Sequence, residues 1–220
     1  MALSPTASHP APPAPVSPVS RPGDLGAFIS AALRRPATIG AIAPTRAPLA
    51  RLLAQIVPRT RPAVVVELGA GTGVVSDAIS QRLVSGSRQV AVEIDPPLAE
   101  HLRTSRPHLE VICGDAAQLR ALLAERGLQR VDAVVSALPW SLLPRGTQAQ
   151  ILAEVTALLR PDAALSTIAA HPAGLAPSAR VFRRLLTEQF DEITVSPTIW
   201  RNLPPARVLT ARRPNRHASI

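Results

Sequence analysis

Two acidic residues that end apolar β runs, the first followed at once by alternating glycines, are the residues of this chain best placed to do chemistry. Glu67 lies in Val64-Val65-Val66-Glu67-Leu68-Gly69-Ala70-Gly71-Thr72-Gly73, and Glu93 comes 26 positions later in Val92-Glu93-Ile94-Asp95. Alternate glycines let the backbone turn sharply after a strand and approach a ligand closely, because they tolerate positive φ and carry no Cβ. A nucleotide-like cofactor is implied. Dinucleotide sites need a pyrophosphate cradle, usually spaced Gly-x-Gly-x-x-Gly, whereas this loop is Gly69-x-Gly71-x-Gly73 with a carboxylate two residues upstream. Such a carboxylate repels pyrophosphate and suits a cation. S-adenosylmethionine is cationic at its sulfonium and amino groups and has no phosphate.

Other chemistries are excluded by composition. All 24 basic residues are arginine, so a Walker loop and Schiff-base or pyridoxal phosphate chemistry lack their lysine. The single cysteine, Cys113, excludes an internal disulfide and a cysteine-cluster metal site, and its apolar strand context predicts an inert buried thiol. The formal net charge of +9 points to an anionic partner, either nucleic acid or an anionic membrane surface. No apolar run approaches the ~20 residues needed to span a bilayer, and the N-terminus lacks the pattern of a secretion signal. The expected setting is the reducing cytosol, with any membrane contact made from one face.

The elements that must position these residues alternate regularly. Strands are predicted at 63–68, 89–94, 109–113, 131–136 and 164–169, with helices at 74–83, 97–104, 118–126 and 146–159 between them, a spacing that suits right-handed βαβ units. Ligands in such sheets sit outside the carboxyl ends of the strands. Glu67, Glu93, Asp115, Ser136 and His171 lie at or just past those ends. A helix over 179–189 then leads to strands 191–195 and 206–211, which can pair as a terminal antiparallel hairpin. The expected fold is α/β and mostly parallel, with seven strands.

At the N-terminus, residues 1–22 are rich in proline, alanine and serine and are expected to be disordered. Residues 23–58 should hold two helices, with the core domain at 59–213 and a flexible end at 214–220. In the first helix, 24–35, Leu25, Phe28, Ile29, Ala32 and Leu33 form one apolar stripe ahead of Arg34 and Arg35. That pattern suits a membrane contact, a lid, or a helix packed on its own domain. The second helix is predicted at 47–57, closed by Pro58.

Val66-Glu67-Leu68-Gly69-Ala70-Gly71-Thr72-Gly73, Val92-Glu93-Ile94-Asp95, Gly114-Asp115-Ala116 and Ser136-Ala137-Leu138-Pro139-Trp140 resemble, in order, the motifs of class I S-adenosylmethionine-dependent methyltransferases, a Rossmann-like fold. The most similar subset is the bacterial phospholipid N-methyltransferases of the soluble, peripheral type, with rRNA adenine dimethyltransferases as relatives. That resemblance extends to Phe28, Arg35-Pro36, 40–44 and 200–207. It implies that Glu67, Gly69, Gly71 and Gly73 serve the methionine end of the cofactor, that Glu93 with Ile94 meets the ribose, that Asp115 and Ala116 meet the adenine, and that Ser136 lies beside them. Asp95, ahead of two prolines, reads as a helix cap; Glu93 could also be a cap and Asp115 a turn residue, but their recurrence at successive strand ends favours the ligand role. Adenine dimethyltransferases carry Asn-Leu/Ile-Pro-Tyr/Phe at the fourth motif, where this chain has Ala137 and Trp140, which makes nucleic acid the less favoured partner.

The fourth motif makes Trp140 and Ser136 candidate catalytic residues, and His171, the only histidine predicted beside the crevice, is a candidate to assist a proton transfer, or simply a solvated loop residue. Trp140 and Trp200 are candidates for facing a cationic amine, or simply for filling hydrophobic gaps. Phe28, Ile29, Arg34, Arg35, Trp200 and Arg201 are candidates for substrate or membrane contact, and Arg201 and Arg207 for a headgroup phosphate. The implied activity is N-methylation of a phospholipid headgroup amine such as phosphatidylethanolamine, by a cytosolic enzyme docked on the inner face of the membrane. Methylation of RNA or of a small molecule, and a catalytically silent cofactor-binding protein, are the other readings.

Overall fold

The β-branched run at 64–66 suits a strand covered on both faces. In the computed structural model, which describes residues 45–170 and 177–215, it opens the central strand β1 (Val64–Leu68). Beside it lie β2 (Arg88–Glu93) and then β3 (Glu110–Cys113), and on the other side β4 (Val131–Ser136) and β5 (Leu159–Ala170). The sheet ends with β7 (Ala206–Pro214) and β6 (Phe190–Val195), in the order β3-β2-β1-β4-β5-β7-β6. Strands β1 to β5 are parallel, and β7 runs antiparallel to both β5 and β6. The predicted terminal pair therefore forms, with β7 inserted between its partner and the parallel sheet.

Helices α1 (Ala47–Leu53), α2 (Val74–Ser80) and α3 (Pro96–Ser105) cover one face, through Leu49, Leu53, Ile79 and Leu102 packed with Val65, Ala91 and Val135. Helices α4 (Leu119–Ala124), α5 (Arg145–Leu158) and α6 (Pro177–Gln189) cover the other, where Leu119, Leu152 and Leu186 pack with Val66, Val92 and Val134. Odd and even positions of each strand thus feed different cores. Asp95 caps α3 as predicted, accepting the Leu98 N–H at 3.1 Å ahead of Pro96 and Pro97.

Three details differ from the sequence-based expectation. The second predicted helix is α-helical only to Leu53 and tightens into a 3₁₀ turn at Ala54–Ile56 before Pro58. Strand β5 starts five residues early, at Leu159, because Pro161 disfavours helical backbone at Arg160 and drives the chain into extended pairing with Val131. Cys113 is exposed, not buried: β3 is an edge strand, and the alternation that buries Ile112 turns Cys113 to the opposite face at the rim of the sheet. The predicted helix at 24–35 and the tail at 1–22 lie outside the described residues.

Candidate functional site

Register brings the acidic strand ends together. Leu68 pairs with Val92 on one side and Ser136 on the other, and Glu93 pairs with Cys113, so β1 to β4 finish level. The connections diverge between β1 and β4, the point where open α/β sheets leave a crevice. A crevice lies at this edge, lined by Gly69, Glu93, Ile94, Asp115 and Ala116 with Ala137, Leu138 and Pro139 opposite. The first five were singled out from sequence. Ala137, Leu138 and Pro139 belong to the fourth motif read from sequence, whereas Ile151 of α5, which also lines the crevice, was not singled out, since only tertiary packing carries it there.

Glu93 is fully buried yet doubly bonded. One oxygen accepts the Gly71 N–H at 2.8 Å and the other the Asp95 N–H at 3.0 Å, which ties the glycine loop to the turn after β2. Burial raises its pKa and the backbone donors oppose the rise. Each oxygen keeps a further lone pair for a ligand. Asp115 caps the following 3₁₀ turn through the Ala117 N–H at 2.9 Å, so its turn role is real, and its carboxyl also lines the crevice.

Glu67 lies behind the glycine loop and, like Gly71 and Gly73, is not among the residues lining the crevice. It is completely buried, one oxygen accepts the Ser76 hydroxyl at 2.6 Å, and Oε1 has no partner among the described residues. Burial is the largest cause that pushes its pKa up to about 8, with Glu93 adding to the rise and Ser76 and Arg106 opposing it. A buried carboxyl with an orphan oxygen suits a cationic group.

The loop itself requires its glycines. Gly69, at φ 73°, would bring a Cβ to 3.0 Å from the Leu138 side chain, and Gly73, at φ 85°, would drive a Cβ into the Arg106 guanidinium. Sequence reasoning missed Arg106. It follows α3 and grips Asp77 of α2 in a bidentate pair at 2.7 and 2.8 Å, a contact spanning 29 residues that leaves no local pattern. It buttresses the loop from beneath. We expect Arg106→Ala to weaken cofactor binding several-fold, about 1 kcal/mol, with calorimetry as the check.

The fourth strand end is built differently from the expectation. Trp140 is buried, stacked on Phe182 with centroids 4.2 Å apart at 17°, and its indole N–H donates to Thr167 Oγ1 at 2.7 Å and Ser136 Oγ at 3.2 Å. Its ring is buried in the core, with one face covered by Phe182 of α6, and it is not among the residues lining the crevice. Ser136 is also buried and absent from the crevice lining; its Oγ accepts from Trp140 and from the Leu138 N–H at 3.3 Å. Both residues shape the 137–143 segment, and Gln148 secures it by donating to the Trp140 and Leu143 carbonyls. Trp140→Phe should keep the stack and lose the indole donor, lowering stability by about 1–2 kcal/mol in a denaturant titration while leaving acceptor affinity unchanged.

Trp200 stands apart from these. It is 74% exposed and Leu203 62% exposed, with Arg201 exposed between them. Both sit on the 196–205 connection, which the Ala170–Ala206 pairing places at the crevice edge of the sheet. Buried Asn202 holds that connection, accepting the Arg46 N–H at 3.1 Å and donating to the Pro204 carbonyl at 2.8 Å. Arg207 donates to Thr198 Oγ1 at 2.8 Å. Phe28, Ile29, Arg34, Arg35 and His171 lie outside the described residues.

Comparison with known proteins agrees with this geometry. A family model described as a methyltransferase domain matches residues 65–162. The chain is 32% identical over 188 residues to an ornithine lipid N-methyltransferase of Singulisphaera acidiphila, covering 83% of this chain and 93% of that protein. It is similar in fold to the 1,6-didemethyltoxoflavin-N1-methyltransferase of Burkholderia thailandensis, solved with S-adenosylhomocysteine, at 19% identity, TM-score 0.58 and coverage of 91% and 93%. Fibrillarin of Aeropyrum pernix, with natively bound S-adenosyl-L-methionine, aligns at 16% identity and TM-score 0.56, covering 74% of this chain and 72% of its own.

Proposed function

We propose that this chain, which belongs to the class I S-adenosyl-L-methionine-dependent methyltransferases, methylates the amine of a membrane lipid headgroup. The cofactor is S-adenosyl-L-methionine, and the residues present fit it: a glycine cradle without a pyrophosphate-binding lysine, and a buried carboxyl with one oxygen unpartnered among the described residues. When bound, it supplies an electrophilic methyl on a sulfonium. In this reading Glu67 receives the cationic amino end and Glu93 accepts the ribose hydroxyls while holding the Gly71 loop beneath them. Asp115 receives the adenine amine. The crevice wall at 137–139 excludes water from the reacting pair. Among the described residues Glu93 and Asp115 are the only ionisable side chains that line the crevice; in this reading the acceptor nitrogen arrives neutral, and positioning supplies most of the acceleration.

The observation that carries the lipid assignment is the outward Trp200 and Leu203, with Arg201 between them, on a braced loop at the crevice edge. Exposed aromatic and apolar tips beside arginine suit a bilayer interface. The kinship with an ornithine lipid N-methyltransferase over most of the chain supports the same reading. The segment 24–35, whose sequence predicts an amphipathic stripe with Phe28, Ile29, Arg34 and Arg35, would add a second contact. No helix among the described residues is long and apolar enough to cross a membrane.

The test is radiolabelled methyl transfer to vesicles containing phosphatidylethanolamine or an ornithine-type aminolipid, beside unmethylated rRNA. Label is expected in a lipid amine and not in RNA, since Ala137 stands where an acceptor amide would be needed; robust transfer to RNA instead would overturn the assignment. Replacing Trp200 and Leu203 with serine should lower vesicle binding about tenfold per residue, with an unchanged melting temperature because neither side chain is packed. A lowered melting temperature with unchanged vesicle binding would remove the docking role.

A further inference from the structure

A second concave feature lies outside the crevice, between α1 and α2. It is an open cleft of about 570 Å³, walled by Pro48, Leu52, Ala78 and Ile199 and also lined by Arg51, Arg59 and Arg82. What sets these arginines apart is that they line one cleft, since about half of the other arginines among the described residues also lack an ion pair. Arg61, Arg88, Arg103, Arg106, Arg120 and Arg184 each meet a carboxylate, whereas Arg51, Arg59 and Arg82 form no ion pair among the described residues. Arg82 is held by its Nη2 donating to the Gln55 carbonyl at 3.1 Å, and its Nε is buried without an acceptor. Desolvation and the like charge of Arg59 both lower its pKa.

We propose that this cleft is a binding site for a phosphate group, separate from the cofactor crevice. Arg82 and Arg59 repel each other, and three guanidinium groups without a carboxylate partner among the described residues become favourable around one polyvalent anion. A carboxylate has two acceptor oxygens, whereas a phosphate offers more acceptor oxygens and can carry more charge. S-adenosyl-L-methionine has no phosphate, so the cofactor does not account for the site. Nor does the site depend on which amine is methylated. The phosphate can belong to a lipid headgroup or to a soluble phosphate ester. Ile199, which lines one side of the cleft, is the neighbour of Trp200, while Arg59 and Arg82, shortly before β1 and β2, lie toward the sheet edge away from the crevice.

Two arms distinguish the sources. Melting curves of the full chain are recorded in chloride with added inorganic phosphate or pyrophosphate, and sedimentation is measured with phosphatidylglycerol vesicles against neutral phosphatidylcholine vesicles. The variants are Arg51→Glu and Arg59→Glu, both exposed and free of bonds to other described residues, with Arg183→Glu on α6 as a charge-matched control. A rise in melting temperature with phosphate or pyrophosphate that the cleft variants abolish identifies a soluble ligand. A loss of roughly tenfold or more in phosphatidylglycerol binding, seen in the cleft variants and not in the control, identifies a lipid phosphodiester. If the control falls equally, or neither arm separates the cleft variants from wild type, the site does not exist. Calorimetry with S-adenosyl-L-methionine should give the same affinity in all variants; a loss there would place the arginines in the crevice and overturn the proposal.

Discussion

Glu93→Ala is expected to weaken S-adenosyl-L-methionine binding by about 30- to 1,000-fold, ~2–4 kcal/mol. Two effects combine. The bonds proposed from the carboxylate to the ribose hydroxyls are removed, and the Gly71 and Asp95 N–H groups, now held at 2.8 and 3.0 Å, lose their common acceptor. The loop that must approach the cofactor is then free to drift. Glu93→Gln should fall between, because a carboxamide keeps one acceptor oxygen and sets its NH₂ against a backbone donor. Stability need not fall in parallel, since burial already disfavours the charged form of this group. Calorimetry on the folded variants is the check. A change under threefold for the alanine variant would exclude Glu93 from the cofactor site.

Glu67 should make the cofactor-free protein lose stability as pH rises. Its pKa goes from 4.5 to about 8 on burial, so the folded state holds the proton more tightly than the unfolded state does. The stabilisation is complete below pH 4.5 and is lost as pH rises through about 8, on the order of 5 kcal/mol as an upper bound. Asp77 and Glu110 are shifted the opposite way by Arg106 and Arg88; their contribution is lost only as pH falls through their lowered values, outside this window. Glu67→Gln should flatten the decline between pH 5 and 8. A cation at Oε1 favours the carboxylate, so S-adenosyl-L-methionine should release a proton on binding at pH 7 and stabilise the protein more at pH 9 than at pH 6. Melting curves with and without cofactor across that range test both. Equal slopes for wild type and Glu67→Gln would remove this role.

Much of this site was legible because strand ends are local features. Glu67, Glu93 and Asp115 each follow an apolar run, and parallel register then brings them to one edge without further information. The Asp95 cap was equally local, being written in the two prolines behind it. What was not legible depends on partners far along the chain. Arg106 matters through Asp77, and the side of the sheet on which Cys113 emerges follows from β3 being an edge. Trp140 was ambiguous because an aromatic next to a strand end reads alike whether its ring faces a ligand or Phe182. The start of β5 was missed because apolar periodicity runs through Leu159 unbroken and only Pro161 marks the change.

The late insertion of β7 also bears on how the protein is made. Strand β6 is hydrogen-bonded in the sheet only to β7, and β5 offers β7 the whole stretch Ala164 to Ala170. During synthesis every other strand emerges from the ribosome before residue 206, yet until 206–214 follows, β5 stays an open edge and β6 has nothing to pair with. An unpaired apolar edge invites pairing with another chain. A nascent chain stalled in the 196–205 connection should therefore need a chaperone, and a stop codon anywhere before Ala206 should yield aggregate and not a smaller enzyme.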